Sequence, residues 1–192
     1  EHFEEQRRGR LQLTRALVLA GIALRDQPGD AGDQLPEERR EWCEGEYWQL
    51  ANAIEQDVAC NREVARLMTL EMGKPFPEAM GELANCAPIF RYYAEMARDD
   101  AGKVAGTTQI GSFQHVRYEP YGVSVHIMPF NFPILLMCWT VAASLAAGNA
   151  CIIKPAEATT LCTLKFMEHF TTLAPGLVAC VPGDAATAQA LV

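Results

Sequence analysis

The segment that decides the fold runs from Gly122 to Glu157 and reads GVSVHIMPFNFPILLMCWTVAASLAAGNACIIKPAE. No Asp, Glu, Lys or Arg occurs between Gly122 and Ile153. Val123 to Met128 has the length of a short strand, Pro133 to Ala147 that of a long apolar helix closed by Gly148-Asn149, and Ala150 to Ile153 that of a second buried strand. An uncharged run of this length also raises a membrane span. Pro129, Asn131, Pro133 and Asn149 interrupt it, however, where a lipid-facing helix would carry none. Parallel strands covered on both faces give continuous apolar stretches, so buried strands and helices of an α/β domain are expected here.

The pattern continues downstream. Thr159 or Thr160 is placed to cap a helix with Leu161, Leu164, Met167 and Phe170 on one face, Leu177 to Val181 forms a third strand, and Gly183-Asp184 opens a last helix. Strands alternating with helices predict a parallel sheet with right-handed connections, whose ligand site lies beyond the carboxyl ends of the strands. Three strand ends therefore carry the functional expectations: Pro129-Phe130-Asn131, Lys154-Pro155-Ala156-Glu157 and Pro182-Gly183-Asp184.

Upstream of Pro120 the chain changes character. Residues 1–119 hold 14 of the 16 Lys and Arg and 21 of the 24 Asp and Glu. Leu11, Leu13, Ala16, Leu17, Ala20 and Leu24 have helical spacing, which ends in a turn-rich stretch from Asp26 to Pro36. Helix formers dominate from Glu37 to Met72, where Gly73 is a C-terminal stop, and Pro77 reopens a helical stripe that continues to about Gly102. Between Gly102 and Pro120 alternating residues such as His115, Val116 and Tyr118 predict a β-hairpin or extended arm. Three parts are expected: a helical lead-in at 1–102, a β arm at 103–119 and a βαβαβ unit at 120–192.

Composition narrows the function classes. Of 192 residues 49% are hydrophobic, which excludes a disordered chain. The net charge of −8, with no basic cluster beyond Arg7-Arg8 and Arg39-Arg40, gives no expectation of nucleic-acid or anionic-membrane partners. The seven cysteines are odd in number and lack CxxC spacing, so neither a disulfide framework nor a metal site is expected. Reduced thiols and an acidic N-terminus without a signal-like apolar run point to the cytoplasm.

The strand ends suggest chemistry. Asn131 lies between Phe130 and Phe132, where a primary amide can donate to a developing oxyanion; alternatively it caps the helix that follows. Lys154 and Glu157 are the only charged residues between Glu119 and Lys165. Three apart after a strand, they suit a polyhydroxylated ligand such as ribose, or else form a solvated loop ion pair. Gly183 before a helix would permit close approach of a nucleotide, although no G-x-G-x-x-G fingerprint is present.

Taken together, Glu119-Pro120-Tyr121-Gly122-Val123, Ile127 to Pro133, Ala146 to Ala150, Lys154 to Glu157 and Val181-Pro182-Gly183 resemble the N-terminal part of the cofactor domain of the NAD(P)-dependent aldehyde dehydrogenases. Leu70 to Pro75 with Glu78-Ala79 resembles that family's helical lead-in. The resemblance covers about residues 47 to 192 and implies the first half of a Rossmann-like parallel sheet within an incomplete aldehyde dehydrogenase fold. It implies oxidation of an aldehyde to a carboxylic acid with NAD, NADP being less favoured. Asn131 would be the oxyanion-hole amide, Lys154 and Glu157 with Pro155-Ala156 would hold the adenosine ribose, Ile127, Met128, Pro129 and Phe130 would line the nicotinamide side, and Gly183 would flank the adenine. The arm between Val104 and Tyr118 would serve a dimer or tetramer. Phe130 stands where Trp is more common, Thr160 where Pro is, and the glycine usual after Gly183 is missing. The family's nucleophilic cysteine and its general base lie beyond the matched motifs, and none of the seven cysteines falls at a matching position.

Overall fold

A computed structural model describes residues 43–97, 102–106, 110–116, 118 and 120–192. The helix expected around Leu11 to Leu24 and the turn from Asp26 to Pro36 lie outside the described residues. From Cys43 the chain makes a π-helical turn to Tyr47 and then four helices: α1 (Trp48–Gln56), α2 (Val58–Met72), α3 (Phe76–Ala84) and α4 (Cys86–Met96). The helical pattern from Glu37 to Met72 does not distinguish α1 from α2. Asp57 separates them, because its backbone leaves the helical region and its Oδ1 accepts from Cys60 N at 2.9 Å, starting a new helix with an Asp cap. Gly73 ends α2 as expected, at φ +79°, with its N–H on Thr69 O. A second break at Asn85 divides α3 from α4.

The buried stripes of these helices pack on the sheet unit, so the change in charge near Pro120 does not divide the core. One apolar cluster extends from Tyr47 through Leu50, Ile54, Val64, Met68 and Phe90 to Met137, Val141, Ile153 and Phe166. Tyr47 is fully buried and its hydroxyl donates to Ala142 O at 2.7 Å, the partner that a buried phenol requires. Phe90 contacts both Tyr47 and Phe170 at ring-centroid distances of 5.9 and 5.8 Å.

Two short strands, β1 (Lys103–Ala105) and β2 (Gln114–Val116), pair antiparallel with Val104 opposite His115, giving the expected arm. The sheet unit contains β3 (Val123–Ile127), α5 (Pro133–Ala146), β4 (Ala150–Lys154), α6 (Thr160–Phe166), β5 (Val178–Cys180) and α7 (Ala185–Leu191). The strands are parallel in the order β3-β4-β5. All five residues of β4 are buried, which is why this central strand shows no alternation. The uncharged run is thereby split into strand, helix and strand, and no helix among the described residues is long and apolar enough to cross a membrane.

Leu161 and Leu164, expected to share one face of α6 with Met167 and Phe170, are 56% and 40% exposed, while Cys162, Thr163 and Phe166 are buried. The cause is tertiary. Glu71 at the end of α2 accepts from Leu161 N at 2.7 Å and Cys162 N at 2.8 Å, which sets the rotation of α6. The helix then tightens to a 3-10 segment at Met167–Thr172, in which His169 and Phe170 are buried alongside Phe166.

Candidate active site

Parallel pairing brings the three strand ends to one edge. Ile127 stands opposite Lys154, Met128 N donates to Lys154 O at 2.9 Å, and Val181 N donates to Ile153 O at 2.8 Å. The loops that begin at Met128, Pro155 and Val181 therefore leave the sheet side by side. Met128 is buried under this edge, whereas Ile127, Pro129, Phe130 and Asn131 are exposed on it. Lys154 is only 6% exposed, yet its ammonium holds no hydrogen bond or ion pair among the described residues. Pro155 is buried, Ala156 half-buried, and Glu157 is exposed at the start of a 3-10 turn (Glu157–Thr159). The loop ion pair between Lys154 and Glu157 does not form.

The helix-capping alternative for Asn131 is also decided. Among the described residues its carboxamide makes no hydrogen bond, and α5 has no side-chain cap from the loop that precedes it. Glu82 of α3 occupies that position instead: its Oε1 accepts from Ile134 N at 2.9 Å and Leu135 N at 3.0 Å. Its other oxygen pairs with Lys74, and both side chains are buried. Lys74 Nζ also donates to Asn131 O at 2.9 Å and sits 3.9 Å from the centroid of the Phe132 ring. A carboxylate at a helix N-terminus and an ammonium on the loop carbonyl thus pin the backbone of Asn131 while leaving its amide free.

Gly183 has a local reason to be glycine. A Cβ there would lie 2.1 Å from Thr187 Oγ1, and Thr187 N donates to Asp184 Oδ1 at 3.1 Å as the cap of α7. That backbone hydrogen bond from Thr187, the largest of several causes, holds the Asp184 carboxyl below its ordinary value. Beyond the Asn131 loop, the exposed side of α5 and the face of α4 enclose an apolar groove of about 500 Å³ lined by Pro88, Ile89, Tyr92, Tyr93, Leu135 and Trp139.

None of the described thiols suits nucleophilic attack. Cys60, Cys86, Cys138, Cys151 and Cys162 are buried and Cys180 half-buried, all unpaired. Burial pushes Cys138 well up, Cys162 to about 12 and Cys180 to about 11, away from the thiolate form.

The sequence model of the aldehyde dehydrogenase family matches residues 34–192. The chain belongs to this family. Retinaldehyde dehydrogenase 3 of Rattus norvegicus is 37% identical over 147 residues, 75% of this chain and 28% of that protein. Omega-crystallin of Enteroctopus dofleini is 36% identical over 142 residues, 71% of this chain and 27% of that protein. The solved structure of PnpE of Pseudomonas sp. WBC-3 in complex with nicotinamide adenine dinucleotide matches at a TM-score of 0.78 and 32% identity, covering 95% of this chain and 36% of that one. The chain thus spans about a quarter of the length of the curated relatives it matches. The fold is α/β and corresponds to part of the aldehyde dehydrogenase fold.

In this aldehyde dehydrogenase family member the sequence reading missed Glu82 and Glu71, the two carboxylates that cap helices from a distance. A signal existed for Glu82. It shares the buried face of α3 and α4 with Ala79 and Cys86, three before and four after it, where a charge requires a partner. Glu71 had no such signal, because its partners are backbone N–H groups about ninety residues away.

Proposed function

We propose that this chain provides the oxyanion-hole amide and the adenosine side of an NAD site for oxidation of an aldehyde to a carboxylic acid. The observation that supports it is the free carboxamide of Asn131, held at the strand-end edge by a backbone whose capping duties fall to Glu82. As a nucleophile adds to the aldehyde carbon, charge develops on the carbonyl oxygen, and a fixed amide N–H stabilises it without reorganising at the moment of reaction. The apolar groove on α4 and α5 suits the hydrocarbon part of an aldehyde.

The residues fit the cofactor. The ammonium of Lys154, on a largely buried side chain and unpartnered among the described residues, would donate to ribose hydroxyls, and the exposed Glu157 carboxylate would accept from them while repelling a 2′-phosphate. Ile127, Met128, Pro129 and Phe130 would line the nicotinamide side, and Gly183 would border the adenine. When bound, NAD accepts the hydride. The β1-β2 arm, whose Val104, Phe113 and Val116 are exposed, would pair with a second copy in a dimer or tetramer.

Replacing Asn131 with Ala in the complete enzyme tests the reading. The expected result is a fall in kcat of about 10²-fold or more with NAD affinity unchanged; an unaltered kcat would remove Asn131 from the reaction. A second reading, nucleotide binding or association with a homologous subunit without catalysis, draws on the burial of the described thiols. That reading expects no aldehyde-dependent NADH from either form.

A further inference from the structure

A second group of chemically active side chains lies outside the strand-end site. Asp57 caps α2, Cys60 is one turn into that helix, and His169 comes from the 3-10 segment after α6. Their ligand atoms all lie within 4.8 Å of one another. Cys60 and His169 are buried and Asp57 is exposed. His169 is only 4% exposed, and its Nε2 has no hydrogen-bond partner among the described residues. A buried ring nitrogen without a partner is uncommon in a folded protein and calls for an explanation.

We propose that Asp57, Cys60 and His169 bind a divalent cation of the zinc type. Thiolate, imidazole and carboxylate are the donors zinc takes, at about 2.3 Å for sulfur and about 2.0 to 2.2 Å for nitrogen and oxygen. Donors around a tetrahedral ion therefore stand about 3.5 Å apart, so side-chain rotation of the order of 1 Å closes the three onto one ion. The cation would give the orphan His169 ring the partner it lacks. Asp57 Oδ1 already accepts from Cys60 N, which leaves the second carboxylate oxygen to coordinate.

Asp57 and Glu168 are carboxylates that act on both Cys60 and His169; Lys165, paired with Glu168 at 2.5 Å, acts on both as well. A bound cation would deprotonate the Cys60 thiol, releasing one proton to solvent and leaving a site with two protein anions for two positive charges. The exposed Asp57 side leaves a fourth position for water. A sulfur and nitrogen pair selects against magnesium and calcium, which take oxygen. Cysteine spacing gave no hint of the site, because Asp57 and Cys60 meet a histidine from far downstream.

Cobalt(II) added to the purified full chain is the test, with zinc(II) as competitor. One equivalent should bind with a near-ultraviolet thiolate-to-cobalt charge-transfer band that zinc removes. The band should vanish in Cys60→Ser, persist in Cys180→Ser, and require about tenfold or more cobalt in His169→Gln and Asp57→Asn. Asp57→Asn keeps an acceptor for Cys60 N and so preserves the helix cap; it decides the matter if Cys60→Ser does not fold. A wild-type chain without the band, a band retained in Cys60→Ser, or unchanged affinity in both Asp57→Asn and His169→Gln would overturn the proposal. The NAD reading stands or falls separately.

Discussion

Replacing Glu82 with Leu should be among the most damaging single changes in the described part of the chain. The carboxylate serves three donors at once: Lys74 Nζ, Ile134 N and Leu135 N. Its loss leaves a buried ammonium with, among the described residues, only Asn131 O and the Phe132 ring for company, and uncaps α5. Breaking a buried ion pair from one side costs about 3 to 5 kcal/mol, and removing a helix cap adds about 1 kcal/mol. Lys74→Met should cost less. The carboxylate it leaves behind keeps two backbone donors, and a helix N-terminus stabilises it by up to about 2 kcal/mol, leaving a loss of about 1 to 3 kcal/mol. The double variant should be more stable than Glu82→Leu alone, since it buries no unpaired charge. Urea unfolding of the four proteins, with slopes compared to confirm a common transition, measures all three differences. Equal losses in the two single variants, or a double variant whose loss is their simple sum, would refute the reasoning.

Other outcomes follow from the same geometry. Glu71→Ala removes the acceptor for Leu161 N and Cys162 N and should destabilise by about 1 kcal/mol, with hydrogen exchange of those two amides rising first. Burial holds His126 below its ordinary value of 6.5, so the unfolded chain takes up that proton first. Its stabilising contribution is complete above about pH 6.5 and is lost as pH falls towards the folded value, and thermal unfolding from about pH 7.5 to pH 5 should show a shallower acid loss in His126→Gln. Glu157→Ser in the complete enzyme should lower the preference for NAD over NADP, measured as the ratio of kcat/KM values; an unchanged ratio would contradict a ribose role. Phe113→Ser combined with Val116→Ser should shift light-scattering mass towards the single chain if the arm joins copies.

Local pattern determined much of this protein. Gly122 to Glu157 announced strand, helix and strand because buried parallel elements must be apolar throughout, and Gly73 announced the end of α2 because only glycine enters the left-handed region freely. The strand ends that hold Asn131, Lys154 and Glu157 follow from that same order of elements. What Asn131 is free to do was undetermined, since helix cap and exposed donor look alike in sequence. Only the folded chain, by bringing Glu82 to the start of α5, decides that the amide is spare. The rotation of α6 under Glu71 and the meeting of His169 with Asp57 and Cys60 belong to the tertiary structure for the same reason. Periodicity reports which face of an element is apolar, but side-chain partners across the core are chosen by how elements pack, and nothing in the spacing of one element encodes the approach of another.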